Sequence, residues 1–216
     1  AWKQIIEDNP FPAVMGRVCY HTCQGACNRN GIDEPVGINA VERFLGDYAL
    51  EKDWQLPVPA ADTGKRILIV GAGPAGLSAA YQLRRLGHAV HVVESAEAAG
   101  GMMRYGIPKY RLPREVLDQE IARIAALGVE FGREVKDLNA EMKSAGYDAA
   151  FLGAGASLAH RAYIPAGDAA HILDAVSVLR SMEAPAQGEE TPMLGRRVVV
   201  YGGGNTAIDV ARTVKR

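Results

Sequence analysis

The pattern that most restricts the fold is Gly71-Ala72-Gly73-Pro74-Ala75-Gly76. It is set between an apolar run, RILIV (Arg66 to Val70), and a helical stretch from Pro74 to Leu86 closed by Gly87. AVHVVE (Ala89 to Glu94) comes next, so strand, glycine turn, helix and strand fit within about 30 residues, the size of a parallel βαβ unit. In such a turn each glycine has a task. The first makes the tight bend, the second lets the backbone approach a pyrophosphate, and the third lets helix and strand pack closely. The helix N-terminus then offers unpaired N–H groups and a partial positive charge to that anion. Glu94 ends the second strand, where a carboxylate can accept hydrogen bonds from a ribose. FAD and NAD satisfy this pattern equally.

A second unit of the same kind follows. RRVVVY (Arg196 to Tyr201) reads as a strand, Gly202-Gly203-Gly204-Asn205-Thr206-Ala207 as the turn, and the residues to Arg216 as a helix. Two Rossmann-like units point to two nucleotides. A flavin paired with a nicotinamide is the economical reason, since a hydride passes between two rings held face to face. Only nine residues follow Ala207, so the second unit lacks the strand that would carry its own ribose-binding end. The natural chain is therefore expected to continue beyond Arg216, and this second site to hold a nicotinamide nucleotide weakly. Between the units, Gly100-Gly101-Met102-Met103-Arg104-Tyr105-Gly106 is a further place where backbone can come close to a flat ring or its phosphates, or simply a glycine turn before a loop.

The three cysteines, Cys19, Cys23 and Cys27, fall within nine residues, and the remaining chain has none. An odd, bunched set is a poor disulfide framework and a plausible metal site. On a helix the four-residue spacing would put the three sulfurs along one side. Soft thiolates suit an iron–sulfur cluster or zinc, and plain buried or reactive thiols are the third option. His21 would point away from Cys19 and Cys23 on a helix, which weakens zinc. No Cys-x-x-Cys lies beside either glycine loop, so a dithiol reductase is disfavoured and electrons must leave a flavin by another route.

The remaining chain sets the domain plan. Asn39 to Lys52 places Val41, Phe44, Leu45 and Tyr48 on one apolar helix face, and Gln55 to Gly64, with two prolines, reads as a linker. Pro113 to Leu127 is a helix, Tyr147 to Leu152 a strand, Leu173 to Met182 a surface helix, and Ala184 to Pro192 a loop or second linker. The expected organisation is a helical domain over 1–60, a nucleotide-binding domain over 64–190 and the start of another over 195–216. The histidines at 21, 88, 91, 160 and 171 take no chemical role. A formal charge of −1 gives no basic stripe for nucleic acid. No apolar run approaches the roughly 18 residues of a membrane span, and the first residues show no leader, so membrane insertion is not expected and the cytoplasm is.

Several stretches together resemble the small subunit of glutamate synthase and its relatives, including the amino-terminal half of dihydropyrimidine dehydrogenase. They are Asp8-Asn9-Pro10-Phe11-Pro12 with Gly16-Arg17-Val18-Cys19, the three cysteines, Pro35 to Phe44 (PVGINAVERF), the first glycine loop, GGMMRYGIPKYRLP and YGGGNTA. The resemblance implies an α/β flavoprotein with an N-terminal helical iron–sulfur domain, a Rossmann-like FAD-binding domain and the start of a Rossmann-like NAD(P)-binding domain. It implies that NAD(P)H reduces FAD and that electrons pass through 4Fe-4S clusters to an electron-accepting partner subunit or domain. For FAD it implies contacts from Gly71, Gly73, Pro74, Ala75 and Gly76 to the pyrophosphate, from Glu94 to the ribose, from Gly101, Met102 and Arg111 elsewhere, and from Val135 to the adenine. Gly203, Gly204, Asn205 and Thr206 would hold the nicotinamide nucleotide's phosphates. Cys19 and Cys23 would serve one cluster and Cys27 the other, with Glu42 at the position of a non-cysteine ligand. The family's upstream cysteine group is missing here, so this chain's ligand set is incomplete. A non-catalytic FAD-binding electron-transfer or assembly module is the competing expectation.

Overall fold

The structure, a computed structural model, describes residues 1–156, 171–183 and 194–215. The expected loop at Ala184 to Pro192 and His160 lie outside the described residues. Four strands, β1 (Arg66–Val70), β2 (Ala89–Glu94), β3 (Glu130–Arg133) and β4 (Ala149–Leu152), form a parallel sheet in the order β3-β2-β1-β4. β1 is central, with Ile69 opposite Val92 on one side and Phe151 on the other. Its Leu68 and Ile69 and the Val92 of β2 are fully buried, as expected for apolar strands covered on both faces.

Around the sheet run α1 (Trp2–Asp8), α2 (Pro12–Val18), α3 (Thr22–Gly25), a 3-10 turn (Asn28–Gly31), α4 (Ile38–Glu51), α5 (Pro74–Arg85), α6 (Met102–Tyr105), α7 (Arg114–Ala125), α8 (Leu138–Ala145), α9 (Ala175–Glu183) and α10 (Asn205–Val214). α5 starts with Pro74 in its first turn, where the missing N–H costs nothing, and stops before Gly87 at φ +87°. α8 was not anticipated, yet it is bounded by local signals. The Asp137 side chain accepts the Ala140 N–H at its start, and Gly146 is left-handed at its end.

Residues between α4 and β1 carry neither helix nor strand, although Leu56 among them is buried. The N-terminal helices nevertheless share one apolar core with the sheet domain, because Ile6, Phe11 and Val14 join Leu77, Tyr81, Leu117 and Ile124. The Tyr81 hydroxyl donates to the Ile6 carbonyl at 2.6 Å. Fully buried Glu120 of α7 takes the N–H groups of Ala13 (2.9 Å) and Val14 (3.0 Å). These two donors belong to the unpaired first turn of α2, whose own N-cap residue, Phe11, offers no side-chain acceptor. Glu120 therefore caps a helix from the other side of the core.

One expectation fails here and two are refined. The apolar face of α4 does not turn inward: Phe44 is 65% exposed and Val41 52%. Small residues decide the packing instead. A β-carbon on Gly16 would stand 2.4 Å from the Arg43 Cβ, and one on Gly46 would stand 2.3 Å from the Ala13 nitrogen, so α2 and α4 touch backbone to backbone. Gly46→Ala is expected to destabilise the protein by about 1–3 kcal/mol, because a backbone atom rather than a flexible side chain occupies the space. A lower urea midpoint with unchanged slope will report it. Second, RRVVVY forms no ladder, and Val199 is 93% exposed. Apolar character favours a strand only where a neighbour supplies hydrogen bonds, and no described strand pairs with it. Third, α9 is a surface helix that exposes Ser177 and Arg180 and buries Val178 and Leu179, in contact with α6 and α10.

Candidate cofactor site

Strand order places the site. From β1 the chain moves outward to β2 and β3 and then returns to the opposite side of β1 as β4, so the connections diverge at the C-terminal ends of β1 and β4. In open parallel sheets that crevice is where ligands bind. The first glycine loop leaves β1 there and meets Gly153 at the end of β4. Gly71 has φ +101°, and a β-carbon on it would lie 2.4 Å from the Gly153 oxygen. One on Gly76 would lie 1.9 Å from the Gly71 oxygen, so α5 reaches β1 only because this position is bare. Gly73 faces open space, its nearest neighbour the Gly101 Cα at 3.9 Å. Gly101 is left-handed at φ +49°, and a β-carbon there would come within 2.7 Å of Gly73. The Gly100 N–H donates to the Ala72 carbonyl at 2.8 Å and ties this second glycine pair to the loop.

The result is a cleft of about 560 Å³, within the roughly 300–1,000 Å³ of small-molecule and cofactor sites. Gly71, Gly73, Pro74, Ala75, Glu94, Gly101, Met102 and Val135 all line it, whereas Gly76 lies behind the loop. Glu94 accepts the Ala72 N–H (2.8 Å) with one carboxylate oxygen and the Ala96 N–H (2.8 Å) with the other, so it also braces the loop. Backbone N–H groups, a bare glycine wall and a carboxylate at the strand end fit a dinucleotide such as FAD.

Sequence reasoning missed Ser177 and Arg180 of α9. They line the same cleft, with the Arg180 guanidinium 5.0 Å from the Tyr105 ring centre. Arg180 is the one cation lining the cleft among the described residues, and only the packing of α9 against α6 brings it there. Arg111 is not part of this lining. Its Nη1 donates to Asp209 Oδ2 at 2.6 Å.

The second loop stands at the start of α10, with Gly202 at φ +130°, Gly204 as N-cap and Asn205 and Thr206 in the first turn. Added β-carbons on Gly203 and Gly204 would meet nothing within 4 Å. Packing among the described residues therefore does not demand glycine there.

The cysteine stretch is not one helix. Cys19 caps the end of α2, His21 is left-handed, Cys23 lies in α3, and Cys27 precedes the 3-10 turn. The sulfurs accordingly do not share one helical side. All three thiols are free, with Cys19 and Cys23 exposed. N–H groups of Val36, Arg29 and Asn30 aimed at the Cys27 sulfur hold its pKa below the ordinary thiol value. Glu42 is half-buried in α4, where it accepts from Asn9 Nδ2 at 2.6 Å, and burial raises its pKa. Among the described residues no three His, Cys, Asp or Glu side chains converge on a metal position. The donors are chemically right for a cluster, and among the described residues they lie apart.

A parallel sheet with a glycine cradle at its switch point and a second glycine loop beyond it define a dinucleotide-binding α/β protein. The chain belongs to the pyridine nucleotide-disulphide oxidoreductase family, whose model matches residues 65–216. Membership implies FAD and a nicotinamide nucleotide as cofactors. Residues 1–54 match the domain described as dihydropyrimidine dehydrogenase domain II, 4Fe-4S cluster.

The chain is 37% identical over 221 residues to the NAD-dependent dihydropyrimidine dehydrogenase subunit PreT of Salmonella typhimurium, covering 100% of this chain and 52% of the relative. It is 34% identical over 232 residues to the glutamate synthase [NADPH] small chain of Mycobacterium tuberculosis, covering 100% and 48%. It is 36% identical over 232 residues to the NADP(+)-dependent formate dehydrogenase subunit beta of Moorella thermoacetica, covering 94% and 32%. The chain thus spans about half the length of these relatives or less. No described helix is long and apolar enough to cross a membrane.

Proposed function

We propose that this chain is the FAD-binding part of an oxidoreductase that takes electrons from NADH or NADPH and delivers them, by way of 4Fe-4S chemistry, to a partner subunit or domain. The observation that carries this reading is the glycine-walled cleft at the β1/β4 switch point, where side chains are missing where a pyrophosphate would need backbone contact. The cleft would hold FAD, whose chemistry would supply uptake of a hydride and release of electrons one at a time.

The chain's own residues do the holding. Gly71, Gly73, Pro74 and Ala75 would meet the pyrophosphate, with Gly76 letting α5 close on β1 behind them, while Glu94 would meet the ribose, Val135 the adenine, and Gly101 and Met102 the ring system. Gly203 to Thr206 would present N–H groups to the phosphates of the nicotinamide nucleotide. No side-chain acid or base is needed, because hydride transfer depends on holding two rings in register. All three cysteines lie in the N-terminal segment, so no dithiol waits beside the cradle and electrons leave by another route. Ligation by Cys19, Cys23, Cys27 and Glu42 is supported by the family resemblance and the match over 1–54, and the accepting group is assigned to a partner.

Anaerobic addition of NADH and NADPH to the FAD-loaded protein tests the reading. Bleaching of the flavin absorption band is the expected result. A protein that binds FAD and stays yellow with both nucleotides is a non-catalytic module, and one that takes up no FAD removes the proposal altogether.

A further inference from the structure

Asp209 is a buried charge that the proposed electron path leaves unused. It sits one turn into α10, 5% exposed, with both carboxylate oxygens engaged. Oδ2 accepts from Arg111 Nη1 at 2.6 Å, and Oδ1 accepts from the Tyr110 hydroxyl at 3.0 Å. Arg212, one turn further along the helix, places its guanidinium 4.7 Å from the Tyr110 ring centre. Burial, reinforced by the Asp209 charge, raises the Tyr110 pKa, so its hydroxyl keeps the proton it donates.

These contacts join segments nearly a hundred residues apart. One is the stretch after α6, continuous with Gly101, Met102 and Tyr105 in the cleft wall. The other is the helix whose first turn is the second glycine loop. α9 packs against both α6 and α10 and makes the connection two-sided. A buried ion pair adds little net stability over an apolar replacement, and its best-attested use is to fix one arrangement among several. Here the arrangement concerns two sites that have to face each other.

We propose that Asp209 is a positioning residue, anchoring the second glycine loop to the flavin-side segment through Arg111 and Tyr110 so that a nicotinamide held at Gly203 to Thr206 meets the flavin in register. This rests on the proposed function, and it explains why Arg111 points to α10 rather than into the cleft. A displacement of about 1 Å in such a register can cost on the order of 100-fold in rate.

The test is Asp209→Asn, which keeps the shape and removes the charge, beside Asp209→Glu, which keeps the charge on a longer stem. Both are read on FAD-loaded protein. Asp209→Asn is expected to slow flavin reduction at saturating NADH or NADPH by about 10- to 100-fold, while FAD affinity stays within about twofold, since Asp209 lies outside the cleft lining. Asp209→Glu is expected to recover part of the rate. Amide hydrogen exchange over residues 202–208, measured without nicotinamide, is expected to quicken in Asp209→Asn and less in Asp209→Glu. Wild-type exchange in Asp209→Asn overturns the anchor, and quickened exchange with an unchanged rate overturns its role in ring register. FAD affinity that collapses with the rate also overturns it, because the residue would then act on the cradle. Wild-type protein that binds FAD but is not reduced overturns the proposed function instead, and the exchange comparison still decides whether Asp209 holds the loop.

Discussion

Gly76→Ala is expected to leave the protein without FAD. The new methyl group would stand 1.9 Å from the Gly71 oxygen and 3.2 Å from Ile69 Cγ2, and the first of these is backbone that no rotamer change can move. Either α5 lifts off β1 or the turn at Gly71 opens, and both movements carry the N–H groups of the first helical turn away from the pyrophosphate position. Flavin affinity should fall by at least about 100-fold, equivalent to about 2.7 kcal/mol. Overpacking adds a further loss of about 1–3 kcal/mol in folding stability. The ratio of flavin to protein absorbance after desalting, together with a thermal melt, measures both. Full flavin occupancy at the wild-type melting temperature would show that the β1–α5 contact tolerates a side chain.

The second large effect is expected at Glu120. Its carboxylate holds the N–H groups of Ala13 and Val14 and faces Arg123, a buried guanidinium whose two terminal nitrogens have no hydrogen-bond partner among the described residues. Glu120→Ala strands two buried donors at any pH and, above about pH 7, also removes a countercharge of Arg123, at a cost of about 3–5 kcal/mol there. The Arg123 guanidinium also lies 5.3 Å from the Trp2 ring centre, so α1 and α2 should loosen together. Equilibrium denaturation followed by tryptophan fluorescence reads this directly, and a loss under 1 kcal/mol would mean that water caps α2 equally well.

The same residue gives a pH signature. Burial pushes the Glu120 pKa up to about 7, against the pull of the two N–H groups and of Arg123 and Arg17. A carboxyl whose pKa is higher folded than unfolded binds its proton more tightly in the folded state. Its stabilising contribution is therefore complete below the unfolded value of about 4.5 and is lost as pH rises to about 7. Stability of the wild type relative to Glu120→Gln should decline across that window by up to about 3 kcal/mol. Parallel pH profiles for the two proteins would show that Glu120 does not titrate there.

Much of the cradle was legible because its signals are local. An apolar run, three spaced glycines, a proline suited to a first helical turn and a carboxylate at the next strand end all act within about 30 residues. Local signals pointed to Gly71, Gly73, Pro74, Ala75 and Glu94, whereas Gly101 and Met102 came from the family resemblance. α8 carried equally local signs in Asp137 and Gly146. Its eight residues make only about two turns, too short a run for the period of Leu138, Met142 and Ala145 to stand out over a window of about 11–18 residues.

What escaped the linear text depends on residues meeting across the fold. Cysteines four apart suggested one helical side, but the left-handed turn at His21 breaks the helix that the spacing presumes. The α4 stripe of Val41, Phe44, Leu45 and Tyr48 marks an apolar face but not its direction. Periodicity shows that a helix has an apolar side, whereas contact area is settled by how closely backbones approach, and Gly16 and Gly46 allow the closer approach on the other side. RRVVVY had the composition of a strand, but no described strand pairs with it.

Composition and short-range spacing were enough to specify a nucleotide-binding α/β chain with a bunched thiol segment ahead of it, because turn geometry and side-chain period act over a few residues. The cap that Glu120 gives α2, the arrival of Arg180 at the cleft and the grip of Arg111 on Asp209 belong to the folded molecule alone. Each joins groups tens of residues apart or more, and a charge or hydrogen bond acts through the distance between atoms, which the order of residues along the chain does not contain.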